Sequence, residues 1–170
     1  MASPIAKLLF NLAWAVSRTG TLQRYLDYLW SHPLNIFLSH SNIDKDAVRA
    51  LYDRLKADKL NPWLDEREIR PGHVWEAKIR TAINEADVAL ICLSARSYSY
   101  GKYFQREVEI ILDVAKTRPT DSVYVIPVLL EQCSPPERIM RKWHAANLYE
   151  ENGYQQLLGV LVERAKEVHK

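Results

Sequence analysis

The sequence predicts an α/β fold in which a five-stranded parallel sheet has helices on both faces. After residue 33, short apolar runs alternate with segments of helical spacing, the order typical of parallel strands joined by crossover helices. The runs Val88 to Leu93 and Val123 to Leu130 are apolar without alternation, as expected of strands covered on both sides. With 170 residues, 48% of them hydrophobic, the chain is long enough for one domain with a substantial core.

Residues 1–33 are predicted to form a helical extension that precedes this domain. Apolar residues recur there at spacings of three and four on both sides of a break at Ser17 to Thr21, and Pro33 ends the second helical segment. The first segment is apolar nearly all round, so we expect it to be buried. Two interpretations stay open: a helical hairpin packed on its own domain, or an arm for oligomerisation or partner docking.

Five strands and four helices are expected in the domain, which is predicted over residues 34–170. The predicted strands run from Leu34 to Ser39, Asn61 to Leu64, Val88 to Leu93, Val123 to Leu130 and Ala145 to Leu148. The predicted helices run from Asp44 to Lys59, Val74 to Ala86, Tyr103 to Thr117 and Gly153 to Val168. A charged loop, Asp65 to Gly72, follows the second strand. This succession of elements favours the flavodoxin-like strand order.

Charge and composition exclude several classes of partner. There are 23 Lys and Arg against 21 Asp and Glu, a formal charge of +2, and this gives no field that would favour nucleic acid or an anionic membrane surface. The apolar stretch from Leu8 to Val16 is far shorter than the roughly 20 residues of a membrane span. Two cysteines, Cys92 and Cys133, are typical of a reducing compartment. We therefore expect a cytoplasmic protein without a membrane span.

Common cofactor and metal motifs are missing from the sequence. None of the five glycines follows the first strand, so neither the dinucleotide-binding fingerprint nor a phosphate-binding P-loop is present. The five histidines lie far apart, and we expect no metal site. The first predicted strand ends in Ser39, His40 and Ser41 rather than in acids, which argues against a phosphoacceptor domain.

Those three residues follow the carboxyl end of a strand, where open α/β sheets bind ligands. His40 is equally well a plain loop histidine, and Trp75, spaced with Ile79, is more often a core residue. Tyr103 and Glu107 lie one helical turn apart and face the same way. Glu107 by itself is most simply a solvated helix acid.

Three separated segments, read together, resemble a TIR (Toll/interleukin-1 receptor) domain. The segments are residues 35–41 with Asp44, the loop Asp65 to Gly72 leading to Trp75, and the stretch from Ala89 through Ser97 and Tyr98 to Glu107. The first is similar to the first-strand box of bacterial members. Residues 125–130 and Trp143 fit the later strand and the last box, so the resemblance covers roughly residues 34–168.

The resemblance implies one of two uses of the fold. Some TIR domains are scaffolds for signalling complexes, and others cleave the nicotinamide–ribose bond of NAD⁺, so NAD⁺ would be a substrate and no cofactor is implied. In the enzymes one glutamate is required, four residues after an aromatic residue that is usually tryptophan. It aligns here with Glu107, and the aromatic position holds Tyr103. By the same resemblance the predicted substrate-binding residues are Ser39, His40, Ser41, Asp65, Arg67, Trp75 and Tyr103.

A single carboxylate is chemically sufficient for this cleavage. Most glycosidases need two, one of which protonates the leaving oxygen. Nicotinamide in NAD⁺ already carries positive charge and departs neutral, so no general acid is required. One anion that binds the ribose hydroxyls and stabilises the cationic transition state then suffices.

Three functions follow as alternatives. The first is an NAD⁺ glycohydrolase or cyclase that releases nicotinamide and linear or cyclic ADP-ribose. Such an enzyme would be activated by self-assembly through TIR–TIR contacts and would work with a separate sensor or effector protein. Its role would be in antiphage defence or immune signalling. The second is a non-catalytic TIR adaptor. The third is another flavodoxin-like enzyme that breaks N-glycosidic bonds, such as a nucleoside deoxyribosyltransferase. Glu107 favours the first over the second, and the Asp65 to Gly72 loop with Trp75 favours it over the third.

Overall fold

Five parallel strands form the centre of the chain. The structure is a computed structural model that describes residues 33–65, 74–97 and 102–168. The strands are β1 (Asn35–Ser39), β2 (Asn61–Trp63), β3 (Val88–Leu93), β4 (Val125–Leu129) and β5 (Ala146–Asn147). They lie in the order β2-β1-β3-β4-β5, and every neighbouring pair is parallel. The predicted five-stranded parallel sheet in flavodoxin-like order is confirmed.

Helices connect the strands and cover both faces of the sheet. They are α1 (Lys45–Ala57), α2 (Trp75–Glu85), α3 (Lys102–Thr117), α4 (Glu137–Met140) and α5 (Gly153–Val168), with a 3-10 turn at Asn42–Asp44 before α1. The α4 helix and the 3-10 turn were not predicted from the sequence. The predicted helical extension falls, apart from Pro33, outside the described residues. No helix in the described ranges is both long and apolar enough to cross a bilayer.

Alternation along the strands divides the core in two. Ile36 and Leu38 of β1 belong to the cluster that α1 and α5 cover. Phe37, between them, points to the other cluster, which α2 and α3 cover with Ile79 and Ile111. Successive side chains of a strand point to opposite faces, so a strand with helices on both sides has to be apolar throughout. This explains the uninterrupted apolar runs in the sequence.

The two edge strands, β2 and β5, are short, and a proline lies near the pairing of each one. Pro62 is in β2 itself, and Pro127 is in β4, the strand that pairs with β5. The N–H of Asn61 donates to the carbonyl of Leu34 at 3.0 Å, so Asn61 faces β1 and Pro62 faces the free edge of β2. On β4, the N–H of Leu130 donates to the carbonyl of Leu93, and by alternation Pro127 faces away from β3. The pairing of β4 with β5 begins one residue later, at Val128. Proline lacks the N–H that a ladder needs, so the pairing cannot include it as a donor.

The strand order also positions a crevice. From β1 the chain crosses to β2 on one side and then returns through α2 to β3 on the other side. Connections that diverge in this way leave a gap at the carboxyl ends of the two central strands. Ser39, the last residue of β1, pairs in register with Ile91 of β3 at this point. The residues that follow Ser39 therefore lie at the mouth of the gap.

Candidate active site

A cavity of about 450 Å³ opens at the carboxyl end of β1. Its lining comes from the segment after β1, the second residue after β2 and the first turns of α2 and α3. The lining residues are His40, Ser41, Asn42, Ile43, Asp65, Trp75, Lys102, Tyr103, Phe104 and Glu107. The volume is within the range of small-molecule sites. Four separate parts of the sequence thus meet in one pocket.

Glu107 is the buried acid of this pocket. Glu107 is only 5% exposed, although Arg106 and Glu109 on the same helix are exposed. The hydroxyl of Ser39 donates a hydrogen bond to its Oε2 at 2.8 Å. Phe104 and Val108, on the same helix, are buried in the core, which turns this side of α3 toward the sheet. The structure thus excludes a solvated position for Glu107.

Burial raises the pKa of Glu107 to about 8. The hydrogen bond from Ser39 lowers the pKa, and the nearby negative charge of Asp65 raises it. A carboxyl group with this pKa is mostly protonated at pH 7 and half ionised at about pH 8, whereas an exposed glutamate is fully ionised at both. In a pocket partly shielded from water, its negative charge acts strongly on any positive charge that develops nearby. Such a group is suited to stabilising a cationic transition state.

Two aromatic rings form one wall of the cavity. Trp75, at the start of α2, and Tyr103, at the start of α3, meet edge to face with ring centroids 5.1 Å apart and an interplanar angle of 78°. Trp75 packs against the hydrophobic core and also lines the cavity, and its contact with a ligand stays a prediction. Tyr103 is 69% exposed and presents its ring at the mouth. Exposed aromatic surface beside a carboxylate is suited to a flat, positively charged ring.

The segment after β1 supplies the polar side of the cavity. His40 and Ser41 are both buried, and both line it. The N–H of Asp44 donates to the carbonyl of Ser41 at 2.9 Å, which closes the 3-10 turn and holds Asn42 and Ile43 against the opening. Backbone and side-chain polar groups at this edge are those that a ligand in the crevice would meet first.

The structure brings together most of the predicted site residues. His40, Ser41, Asp65, Trp75, Tyr103 and Glu107 all line the cavity, and their roles toward a substrate stay predictions. Ser39 is completely buried and contacts Glu107 without lining the cavity. Arg67, with most of the loop that contains it, lies outside the described residues. No group of three or more metal-binding side chains occurs in the ranges that the structure describes.

Sequence reasoning missed four lining residues: Asn42, Ile43, Lys102 and Phe104. Two of them directly follow Ser41, so extending the strand-end segment by one turn would have included them. Phe104 is a buried core residue as well, and its apolar side chain gives no indication of a site. Nothing in the sequence indicated that Lys102 belongs to the site, because the predicted helix began one residue later, at Tyr103.

The fold and the cavity define a flavodoxin-like α/β domain in which the buried carboxyl group of Glu107 lines a cavity at the carboxyl edge of the sheet. The TIR domain family model matches residues 36–158, and this span includes every element from β1 into α5. The chain belongs to the TIR domain family. The predicted recognition is confirmed at the level of the family.

One related protein has a named activity. A stretch of 83 residues is 35% identical to a protein of Brachypodium distachyon named "Probable 2' cyclic ADP-D-ribose synthase BdTIR". The match covers 48% of this chain and 37% of that protein, so this chain corresponds to little more than a third of its relative.

Solved TIR domains share the architecture. The TIR domain of the Toll-related receptor TRR-2 from Hydra magnipapillata superposes with a TM-score of 0.62 at 14% identity, over 75% of this chain and 98% of that one. The TIR domains of the activated Roq1 resistosome superpose with a TM-score of 0.52 at 20% identity, over 77% of this chain and 82% of the other. At such identities the likeness establishes the fold alone.

Proposed function

We propose that this protein cleaves the nicotinamide–ribose bond of NAD⁺, releasing nicotinamide and linear or cyclic ADP-ribose. The observation that carries the proposal is the buried carboxyl group of Glu107, which lies in a cavity beside exposed aromatic surface. The relative named as a probable cyclic ADP-ribose synthase supports the same chemistry.

The reaction requires little of the protein beyond one well-placed anion. The C–N bond to ribose breaks, its electron pair moves to the nicotinamide nitrogen, and the sugar becomes cationic. Glu107 stabilises this positive charge, and Tyr103 stacks near the pyridinium ring before it leaves. An oxygen of water then attacks to give linear ADP-ribose, or an atom of the ADP-ribose itself attacks to close a ring. The attacking hydroxyl or water loses its proton to solvent.

Self-assembly is part of the proposal. Ile43, Val74 and Tyr103 are large apolar side chains that are 47%, 72% and 69% exposed, and Ile43 and Tyr103 lie at the cavity. Contacts between copies would cover this surface and close the mouth around the substrate. The same surface favours the second candidate, a TIR scaffold without catalysis. Roles in antiphage defence or immune signalling, a sensor or effector partner, and a cytoplasmic location stay predictions.

Nicotinamide release by the purified protein tests the proposal, and Glu107→Gln is the decisive variant. The substitution keeps the size of the side chain and removes its charge, so we expect a loss on the order of 10²–10³ in rate. Glu109→Gln is the matched control, because Glu109 lies on the same helix, is exposed and pairs with Arg106 at the surface. Its rate should stay within about twofold of wild type, since surface pairs contribute little.

Chromatography of the products separates linear from cyclic ADP-ribose in the same experiment. A folded wild-type protein that releases no nicotinamide at any concentration would contradict the enzyme and favour the scaffold. A folded Glu107→Gln variant with near wild-type turnover would show that another group performs the chemistry.

A further inference from the structure

Ser39 has an unusual position for a residue near a ligand site. Ser39 is the last residue of β1 and is completely buried. Its hydroxyl donates a hydrogen bond of 2.8 Å to Oε2 of Glu107, which lies 68 positions later in the sequence. The cavity lining includes its neighbours His40 and Ser41 but not Ser39 itself. A ligand in the cavity therefore meets Glu107 on one side, while Ser39 holds the carboxyl group from the other.

The surroundings of Glu107 make this hydrogen bond important. The ionisable groups that share its cavity are His40 after β1, Asp65 after β2, and Lys102 and Tyr103 on α3; α2 contributes only Trp75, which does not titrate. Burial and the charge of Asp65 both disfavour the ionised carboxyl group, and the hydrogen bond from Ser39 opposes them. A donor to a carboxylate stabilises the charged form.

We infer that Ser39 is a positioning residue, which orients the Glu107 carboxyl group and favours its ionised form without touching the substrate. This inference rests on the proposed function, because it assigns the catalytic anion to Glu107. It also revises the predicted role of Ser39, which the sequence placed among the substrate-binding residues. Hydrogen bonds to charged groups are stronger than those between neutral groups, so one missing donor should have a measurable effect.

The pH dependence of kcat/KM tests the inference in Ser39→Ala. Activity should rise with pH as Glu107 ionises, and without the hydroxyl its midpoint should move up by about one pH unit. The loss at pH 7 should be about tenfold and should be largely recovered well above the midpoint. Ser39→Thr retains the hydroxyl, so its midpoint should stay nearer to that of wild type.

Ser97→Ala is the matched control. Ser97 is also a completely buried serine, and its hydroxyl accepts from the N–H of Ser94 and donates to the carbonyl of Ser94. Losing it should lower stability to a similar degree and leave the midpoint unchanged. If Ser39→Ala lowers kcat/KM equally at all pH values, with an unchanged midpoint, Ser39 has only a structural role and the inference fails.

A measurement without NAD⁺ separates this inference from the proposed function. Carbon-13 NMR of labelled glutamate carboxyl groups follows the titration of Glu107 directly, and its signal is assigned by its absence in Glu107→Gln. Ser39→Ala should raise the Glu107 midpoint and Asp65→Asn should lower it. An unchanged midpoint in Ser39→Ala overturns the inference even if wild type cleaves NAD⁺. A raised midpoint supports the effect of Ser39 on the ionisation of Glu107 even if the protein does not cleave NAD⁺.

Discussion

Glu107 lowers the stability of the domain in a way that depends on pH. Its folded pKa, about 8, lies above the ordinary value of 4.5. Between these pH values the folded protein retains a proton that the unfolded chain has lost, so folding becomes less favourable as pH rises. Below pH 4.5 both states hold the proton and the effect disappears. Above about pH 8 the full penalty is present, on the order of a few kcal/mol.

Glu107→Gln should therefore unfold at a higher temperature than wild type in alkaline buffer. Glutamine keeps an oxygen that accepts the hydrogen bond from Ser39 and has no charge to bury. The difference in Tm between variant and wild type should be small near pH 4.5 and should grow up to about pH 8. Scanning calorimetry in matched buffers measures it. A Tm difference that is the same at both ends of this range would show that Glu107 does not titrate as described.

Individual site residues were predictable from the sequence only in part. His40 and Ser41 follow a strand, and Glu107 follows Tyr103 by one helical turn, so local spacing and family resemblance were enough to single them out. The contact between Ser39 and Glu107 was not predictable, because it depends on where α3 packs against β1 after 68 residues of intervening chain. Sequence spacing carries no information about which of two neighbouring groups faces the cavity and which lies beneath it.

The start of α5 depends on a glycine. A Cβ at Gly153 would lie 1.8 Å from the carbonyl oxygen of Asn147 and 2.7 Å from its carbon, much closer than any real contact. Asn147 ends β5, so α5 can begin directly against this strand only because Gly153 has no side chain. Gly153→Ala should lower the free energy of unfolding by at least about 1–3 kcal/mol, as other overpacked sites do.

Gly159→Ala on the same helix supplies the contrast. A Cβ there meets nothing within 4 Å, and alanine is preferred to glycine inside helices by about 0.8–1 kcal/mol. This variant should be more stable than wild type. Urea unfolding measures the free energy of unfolding of both variants, and we expect Gly→Ala to lower it at position 153 and raise it at position 159. Equal effects would mean that the backbone contact at β5 does not limit the helix.

Strands and helices were predictable where the apolar pattern extended over many residues, but the residues at which they begin and end were not. The nine predicted strands and helices of the domain all occur, because apolar runs and helical spacing extend over several residues. The α4 helix has only four residues, Glu137–Met140, too few to show a period. The last strand was predicted over four residues and has two, Ala146–Asn147. Its pairing with β4 begins at Val128, directly after Pro127. Pro127 lies in a different strand, so the residues around β5 could not predict this boundary.

The whole molecule should become active on assembly. The apolar side chains exposed around the cavity, together with a predicted apolar N-terminal extension, motivate this expectation. Specific activity of the purified protein should rise with concentration, or on addition of a cognate partner. Light scattering on the same samples establishes the oligomeric state. Constant specific activity from monomer to oligomer would contradict activation by assembly.

Removal of residues 1–33 tests the extension separately. If this segment supports assembly, the truncated protein should remain folded and lose the rise in activity with concentration. If it instead packs on its own domain, truncation should lower the Tm and leave the concentration dependence of the remaining activity intact. Circular dichroism and the nicotinamide assay on the same preparation distinguish these two interpretations.

The short outer strands determine how copies of this domain can meet. Pro62 faces outward on β2, and β5 has only two residues, so an incoming strand would find few donors and acceptors at either border. The described sheet is thereby protected from the continuous backbone pairing that builds amyloid-like fibres, even at high local concentration. Within the described part of the domain, we expect an assembly to join instead through side chains on helices and loops. Contacts of that kind can form and dissolve again, as reversible assembly requires.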